Sequence, residues 1–212
     1  MSKSNASIAL VGDSDIERWP VDLVPSCTAS IGEEEPIPVR IRGQSGATLE
    51  EVLPLMKSEL EKAALAKTQS LTVVFCAGEN DISQSIRLDE TLISFRKLLQ
   101  MLHNCEAISR KHLIALGPKL EPWLEYDADC RKQYFKLSNA MERACKKHPC
   151  EDNYKITYVD CLTMFCGESA KQPGAVFGGK AIPEKRYFDH DMLHLSREGY
   201  QIWKAVTEQC IP

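Results

Sequence analysis

Five short, β-rich apolar runs alternate with longer stretches of helical periodicity, and this alternation constrains the fold of the chain more than any other feature. The runs cover residues 7–11, 37–41, 71–77, 113–116 and 156–159. Between them, Leu49, Val52, Leu53, Met56, Leu60, Ala63 and Ala64 mark one face of a first helix. Thr48 and Glu51 have the spacing of a capping box at its start, while Pro54 allows a later start or a bend. Leu92, Phe95, Leu98, Leu99 and Leu102 mark a second helix, and Cys130, Tyr134, Leu137, Met141 and Cys145 a third. Residues 196–209 read as a last helix with Ser196 as its N-cap. Strands alternating with helices imply an α/β fold, a parallel sheet with helices on both faces.

In such sheets, sites form outside the carboxyl ends of the strands; three candidate segments lie there, and a fourth lies before the last helix. Ser14, in Gly12-Asp13-Ser14, lies three residues past the first run, where a strand-to-helix turn presents a hydroxyl beside backbone donors. Taken alone, this tripeptide is also what an ordinary helix cap looks like. In Arg42-Gly43-Gln44-Ser45-Gly46-Ala47-Thr48, a glycine lets a backbone N–H approach an oxyanion closely, or simply serves a turn that needs positive φ. Asn80, in Gly78-Glu79-Asn80-Asp81, has an amide suited to an oxyanion, or to an Asx turn at the strand end. Asp191-Met192-Leu193-His194 puts an acid three residues before a histidine, so one loop can hold both and the acid can orient the imidazole. Asp189 and His190 lie close by, but Asp191 and His194 have this spacing and His194 immediately precedes the last helix.

Taken together and in this order, the four blocks resemble the SGNH (GDSL-type) hydrolase superfamily, over residues 7 to 205 or so. The resemblance implies a three-layer α/β/α sandwich with a five-stranded parallel sheet, flavodoxin-like in topology. It implies Ser14 as nucleophile, His194 as general base and acid, and Asp191 as its partner. The oxyanion hole would consist of the Ser14 N–H, the Gly46 N–H and the Asn80 side chain, with Gly43 as an alternative to Gly46. Asp13 and Asp81 would brace their turns. Cys76-Ala77-Gly78-Glu79-Asn80-Asp81 and the stretch from Gly117 to Trp123 look like the acetylhydrolase- and lysophospholipase-like branch. The spacing to Trp123 is shorter than in that pattern, so no binding role carries over to it. Asp15 follows Ser14 where the family usually has an aliphatic residue. Pointing inward, it would favour a protonated His194 and disfavour anionic substrates; pointing outward, it would complement the helix dipole.

Composition narrows the setting. A length of 212 residues suits a single domain, residues 1–212, and 43% hydrophobic with 26% charged residues reads as globular. A net charge of −4 gives no footprint for nucleic acid and no pull toward anionic membranes. The polar N-terminus lacks the pattern of a secretory signal, and the apolar run at residues 8–11 is far too short to span a bilayer. With that, nine scattered cysteines read as mostly free thiols in a cytoplasmic protein. Cys145, His148 and Cys150 lack paired Cys-x-x-Cys spacing, so no metal site is expected, and the chemistry requires no cofactor. The loop at 172–183 carries three glycines and reads as a rim over the site or a plain connection; the acidic run at 33–36 reads as a solvated face. The expected function is hydrolysis of carboxylic esters, with short acyl or acetyl esters favoured because no apolar lid or interfacial helix is evident. An acyltransferase would share the same acyl-enzyme, and a non-catalytic binding member of the fold would be favoured by a missing triad residue. The turn Gly12–Arg18 is too acidic to cradle a phosphate, which argues against a flavodoxin-like cofactor binder.

Overall fold

The computed structural model describes residues 5–26, 37–171 and 181–211. The acidic run at 33–36 and residues 172–180 of the glycine-rich loop lie outside them. Five strands form one parallel sheet: β1 (Ala6–Gly12), β2 (Val39–Gly43), β3 (Ser70–Cys76), β4 (Arg110–Leu116) and β5 (Tyr154–Val159), in the order β2-β1-β3-β4-β5. The helices are α1 (Ser14–Glu17), α2 (Leu49–Leu65), α3 (Glu79–Ser83), α4 (Leu88–His103), α5 (Ala128–Lys147) and α6 (Arg197–Cys210).

The central strands β1 and β3 are apolar over most of their length because both faces of the sheet are covered there. On one face, Ala9, Val11, Val73, Phe75, Leu113 and Ala115 pack against Val52 and Met56 of α2, Phe95 and Leu98 of α4, and Leu137 and Met141 of α5. The alternate residues Ile8, Leu10, Val74, Ile114 and Leu116 pack on the other face against Tyr200 and Trp203 of α6. Trp19 stacks on Trp203 there at 5.6 Å between ring centroids.

The helix starts follow local rules. Thr48 caps α2 with a full capping box: its side chain accepts from the Glu51 N–H, and its own N–H donates to Glu51 Oε2 at 2.8 Å. The helix therefore starts at Leu49 and runs through Pro54, which lies inside it. Ser196 caps α6, accepting from the Gly199 N–H.

The chain leaves β1 for an edge strand and returns across it to β3, so the direction of winding reverses between β1 and β3. A crevice opens at the carboxyl end of a sheet at such a point. The Ser14 turn follows β1 and the Asn80 turn follows β3, so both border it.

Candidate active site

Ser14 opens the one-turn helix α1, with Asp13 as its N-cap; Asp13 Oδ1 accepts from the Asp15 N–H at 3.1 Å. The Asp13 N–H itself continues the β1–β3 ladder by donating to the Cys76 carbonyl at 3.1 Å. Across the crevice, the 191–194 loop is closed by a bridge between Phe188 and Leu195. Met192 adopts a left-handed φ of 56° there. Asp191 Oδ1 then accepts from both the Leu193 and His194 N–H groups at 3.0 Å. Asp191 Oδ2 accepts from His194 Nδ1 at 2.6 Å, and His194 Nε2 lies 3.0 Å from Ser14 Oγ.

Burial works against ionisation of Asp191, but hydrogen bonds from the His194 ring and the two backbone N–H groups outweigh it. They hold the carboxyl well below the usual carboxylate range. An ionised carboxylate can only accept, so Nδ1 carries the ring proton and the lone pair of Nε2 faces the Ser14 hydroxyl. Asp189 and His190 do not join this chain: their side chains are exposed and, among the described residues, meet each other at 3.4 Å.

Asn80 lies in the first turn of α3, and its Nδ2 donates to the Ala47 carbonyl at 3.0 Å. This bond uses one amide hydrogen and fixes the amide plane. Asp81 braces the same junction, its Oδ2 accepting from the Leu49 N–H at 2.8 Å. Gly46 sits in the turn before α2 with φ 73°, its carbonyl accepting from Gln84 Nε2 at 3.0 Å. A Cβ on Gly46 would meet nothing within 4 Å, whereas one on Gly43 would lie 2.0 Å from the Glu17 nitrogen. Gly43 is thus needed for the close approach of β2 to α1.

Ser14, His194, Asp191 and Asn80 share a cavity of about 270 Å³; Gly46 belongs to the adjoining turn and does not line it. Other walls of this cavity come from residues to which the sequence reading gave no role. Lys119, Glu121 and Trp123 arrive on the turn after β4, Glu79 on the turn after β3, and Tyr134 from α5. Their signal was available in part, because the turn after β4 is also a strand carboxyl end.

Asp15 points inward, and Lys119 Nζ donates to its Oδ2 at 2.6 Å. The same ammonium donates to Glu79 Oε2 and Glu121 Oε1, each at 2.9 Å. The effect expected of an inward Asp15 on His194 is therefore countered by a buried cation. Burial opposes the charge on Lys119, but the surrounding carboxylates outweigh it and push its pKa well up. Burial pushes Asp13 and Glu121 up as well, and Glu79 to about 8 despite Lys119. Asp13, Asp15 and Cys76 bring possible metal-ligand atoms within 4.8 Å of one another. They do not fit a metal: the Lys119 ammonium already holds Asp15, and burial keeps the Cys76 thiol protonated.

The family model for GDSL-like lipases and acylhydrolases matches residues 10–202. The chain belongs to the GDSL-like lipase/acylhydrolase family. Solved structures of similar fold agree with that membership. An acetyl xylan esterase, AlAXEase, superposes with a TM-score of 0.68 at 12% identity, over 97% of this chain and 100% of that one. A member of the lipolytic G-D-S-L family from Veillonella parvula gives 0.63 at 16% identity, over 95% and 97%. The esterase EstA from Pseudoalteromonas sp. gives 0.56 at 14% identity, over 97% and 95%. A search of curated proteins returned no match. Among the described residues, no helix is long and apolar enough to cross a membrane, and eight cysteines are free thiols.

Proposed function

We propose that this GDSL-family hydrolase is a serine esterase that cleaves small carboxylic esters through an acyl-enzyme on Ser14. The observation that carries the reading is the unbroken chain from Ser14 Oγ to His194 Nε2 (3.0 Å) and from His194 Nδ1 to Asp191 (2.6 Å), opening on a cavity shared with Asn80. His194 Nε2 takes the hydroxyl proton as Ser14 Oγ attacks the ester carbonyl. Asp191 stabilises the imidazolium that results. The developing oxyanion is assigned to the Ser14 and Gly46 N–H groups and to the second amide hydrogen of Asn80, the first being held by Ala47. His194 protonates the leaving alcohol, and the same nitrogen then activates the water that releases the acid.

The cavity supports a small substrate. About 270 Å³ lies below the range of pockets that enclose drug-sized ligands. The fold likeness to an acetyl xylan esterase points the same way, toward acetyl or other short acyl groups. The test is hydrolysis of p-nitrophenyl acetate and butyrate by the wild type, Ser14→Ala and His194→Ala, each verified as folded by circular dichroism. Turnover that both substitutions reduce at least about 1,000-fold is expected, with acetate preferred. A fluorophosphonate should label the wild type at Ser14 and leave Ser14→Ala unlabelled. Full activity in Ser14→Ala, or a wild type that neither hydrolyses the esters nor takes the label, refutes the reading.

A further inference from the structure

Lys119 is 1% exposed, an extreme burial for a lysine, and it lies at the floor of the cavity that holds Ser14. All three donors of its ammonium are used, and each acceptor comes from the end of a different strand. Asp15 follows β1, Glu79 follows β3 and Glu121 follows β4, at 2.6, 2.9 and 2.9 Å. The Lys119 backbone N–H also donates to Glu79 Oε1 at 2.7 Å, so Glu79 is gripped at both oxygens. Glu121 is held from its far side by Trp123 Nε1 at 2.5 Å and by the Tyr134 hydroxyl at 3.1 Å. Two neighbours in sequence give this tripod its meaning. Asp15 is the residue after Ser14, and Glu79 is the residue before Asn80.

We infer that Lys119 is a positioning residue: its ammonium locks the Ser14 turn and the Asn80 turn into one register, so that hydroxyl and amide converge on the same reacting carbonyl. This rests on the esterase reading above. A buried ion network is a poor device for stability, because desolvation of the charges offsets most of their attraction. As a device for geometry it is better. Apolar side chains resist sliding weakly, whereas three short charge-assisted hydrogen bonds along different directions fix a point in space. The adjoining turns are tied to the same frame. The Tyr200 hydroxyl, from the helix that follows His194, donates to the Asp15 carbonyl at 2.8 Å. The Asn80 amide holds Ala47 at 3.0 Å. Displacing one member of a catalytic set by an ångström costs on the order of 100-fold in rate.

The first test is Lys119→Met, which keeps an unbranched side chain one atom shorter and removes the tripod. With the protein folded, kcat for p-nitrophenyl acetate should fall about 100-fold while KM stays within about threefold, because the lost register matters only in the transition state. A lysine that merely stabilises the fold would lower the unfolding midpoint and leave the kcat of folded molecules within about threefold; that result overturns the inference. The second test does not depend on Lys119→Met folding. It is a double-mutant cycle between Asp15→Asn and Asn80→Ala, read as kcat/KM. Asp15→Asn should cost about tenfold alone and less than about threefold in the Asn80→Ala background, since a register toward Asn80 has no value once the amide is gone. Additive penalties overturn the inference. If the wild type neither turns over esters nor reacts with a fluorophosphonate, the esterase reading and the inference both fall. If the wild type is active and the cycle is additive, only the inference falls.

Discussion

Asp191→Asn separates the electronic role of the acid from its structural one. Asp191 Oδ1 accepts from the Leu193 and His194 N–H groups, and Oδ2 accepts from His194 Nδ1. An asparagine must keep its carbonyl oxygen toward the two backbone donors, because its amide nitrogen cannot accept from them. The amide N–H then faces Nδ1. Nδ1 must give up its proton to accept, the proton moves to Nε2, and the nitrogen facing Ser14 Oγ can no longer act as a base. The charge-assisted bond to the imidazolium is lost as well, which is worth about 1.5–3 kcal/mol. Together these effects should reduce kcat for p-nitrophenyl acetate about 10³–10⁴-fold, with KM little changed. Stability should fall modestly, because a carboxylate that the fold holds ionised gives way to a neutral amide. Both backbone bonds survive, and the Arg18 contact that is weakened is long (3.4 Å) and half-exposed, so it is worth little. Stopped assays at neutral pH and a urea unfolding curve measure the two effects. A kcat within tenfold of wild type would refute the tautomer argument. A large loss of stability would show that the loop, rather than the ring proton, had been disturbed.

Two further outcomes follow from the geometry. Gly43→Ala should destabilise the fold by more than about 3 kcal/mol or prevent folding, because its Cβ would sit 2.0 Å from the Glu17 nitrogen. Gly46→Ala meets no atom within 4 Å and should lose only about 1–2 kcal/mol for its φ of 73°; equal urea midpoints for the two variants would contradict this. The buried carboxyls set the pH dependence of stability. Burial pushes the Glu79 carboxyl up to about 8 in the folded chain, from 4.5 when unfolded, against the pull of Lys119. The folded state therefore binds more protons across that window, and stability falls as pH rises through it. As pH rises through neutrality, urea unfolding midpoints should decline, and less so in Glu79→Gln; a midpoint that rises with pH would refute the assignment.

Much of the fold was legible along the chain, for reasons particular to a parallel sheet. Strands covered on both faces are apolar over most of their length, so Val73, Val74 and Phe75 form an unbroken run that stands out from the helical periods around it. Caps announce themselves locally too: Thr48 with Glu51, and Ser196 before α6, satisfy helix N–H groups within three residues. The strand-end rule pointed to the turns of Ser14 and Asn80, and motif spacing to Asp191 and His194; all four border one cavity. Pro54 was ambiguous because a proline costs a helix one internal bond; the cap at Thr48 and the burial of Val52 and Met56 outweigh that cost.

Lys119 shows where such reading stops. Its partners lie 104, 40 and 2 residues away, and in a strand-end turn a lysine followed by a glutamate reads as a solvated pair. Only the closing of three strand ends around one point removes water from it and converts four residues of ordinary surface types into a buried frame. The different steric demands on Gly43 and Gly46 have the same character: both glycines are compatible with a turn, and only the approach of Glu17 from another element makes Gly43 sterically necessary. Periodicity, caps and motif spacing act over a few residues and are written in the chain itself. Desolvation and close backbone approach depend on which distant segments meet, and they exist only once the sheet has assembled.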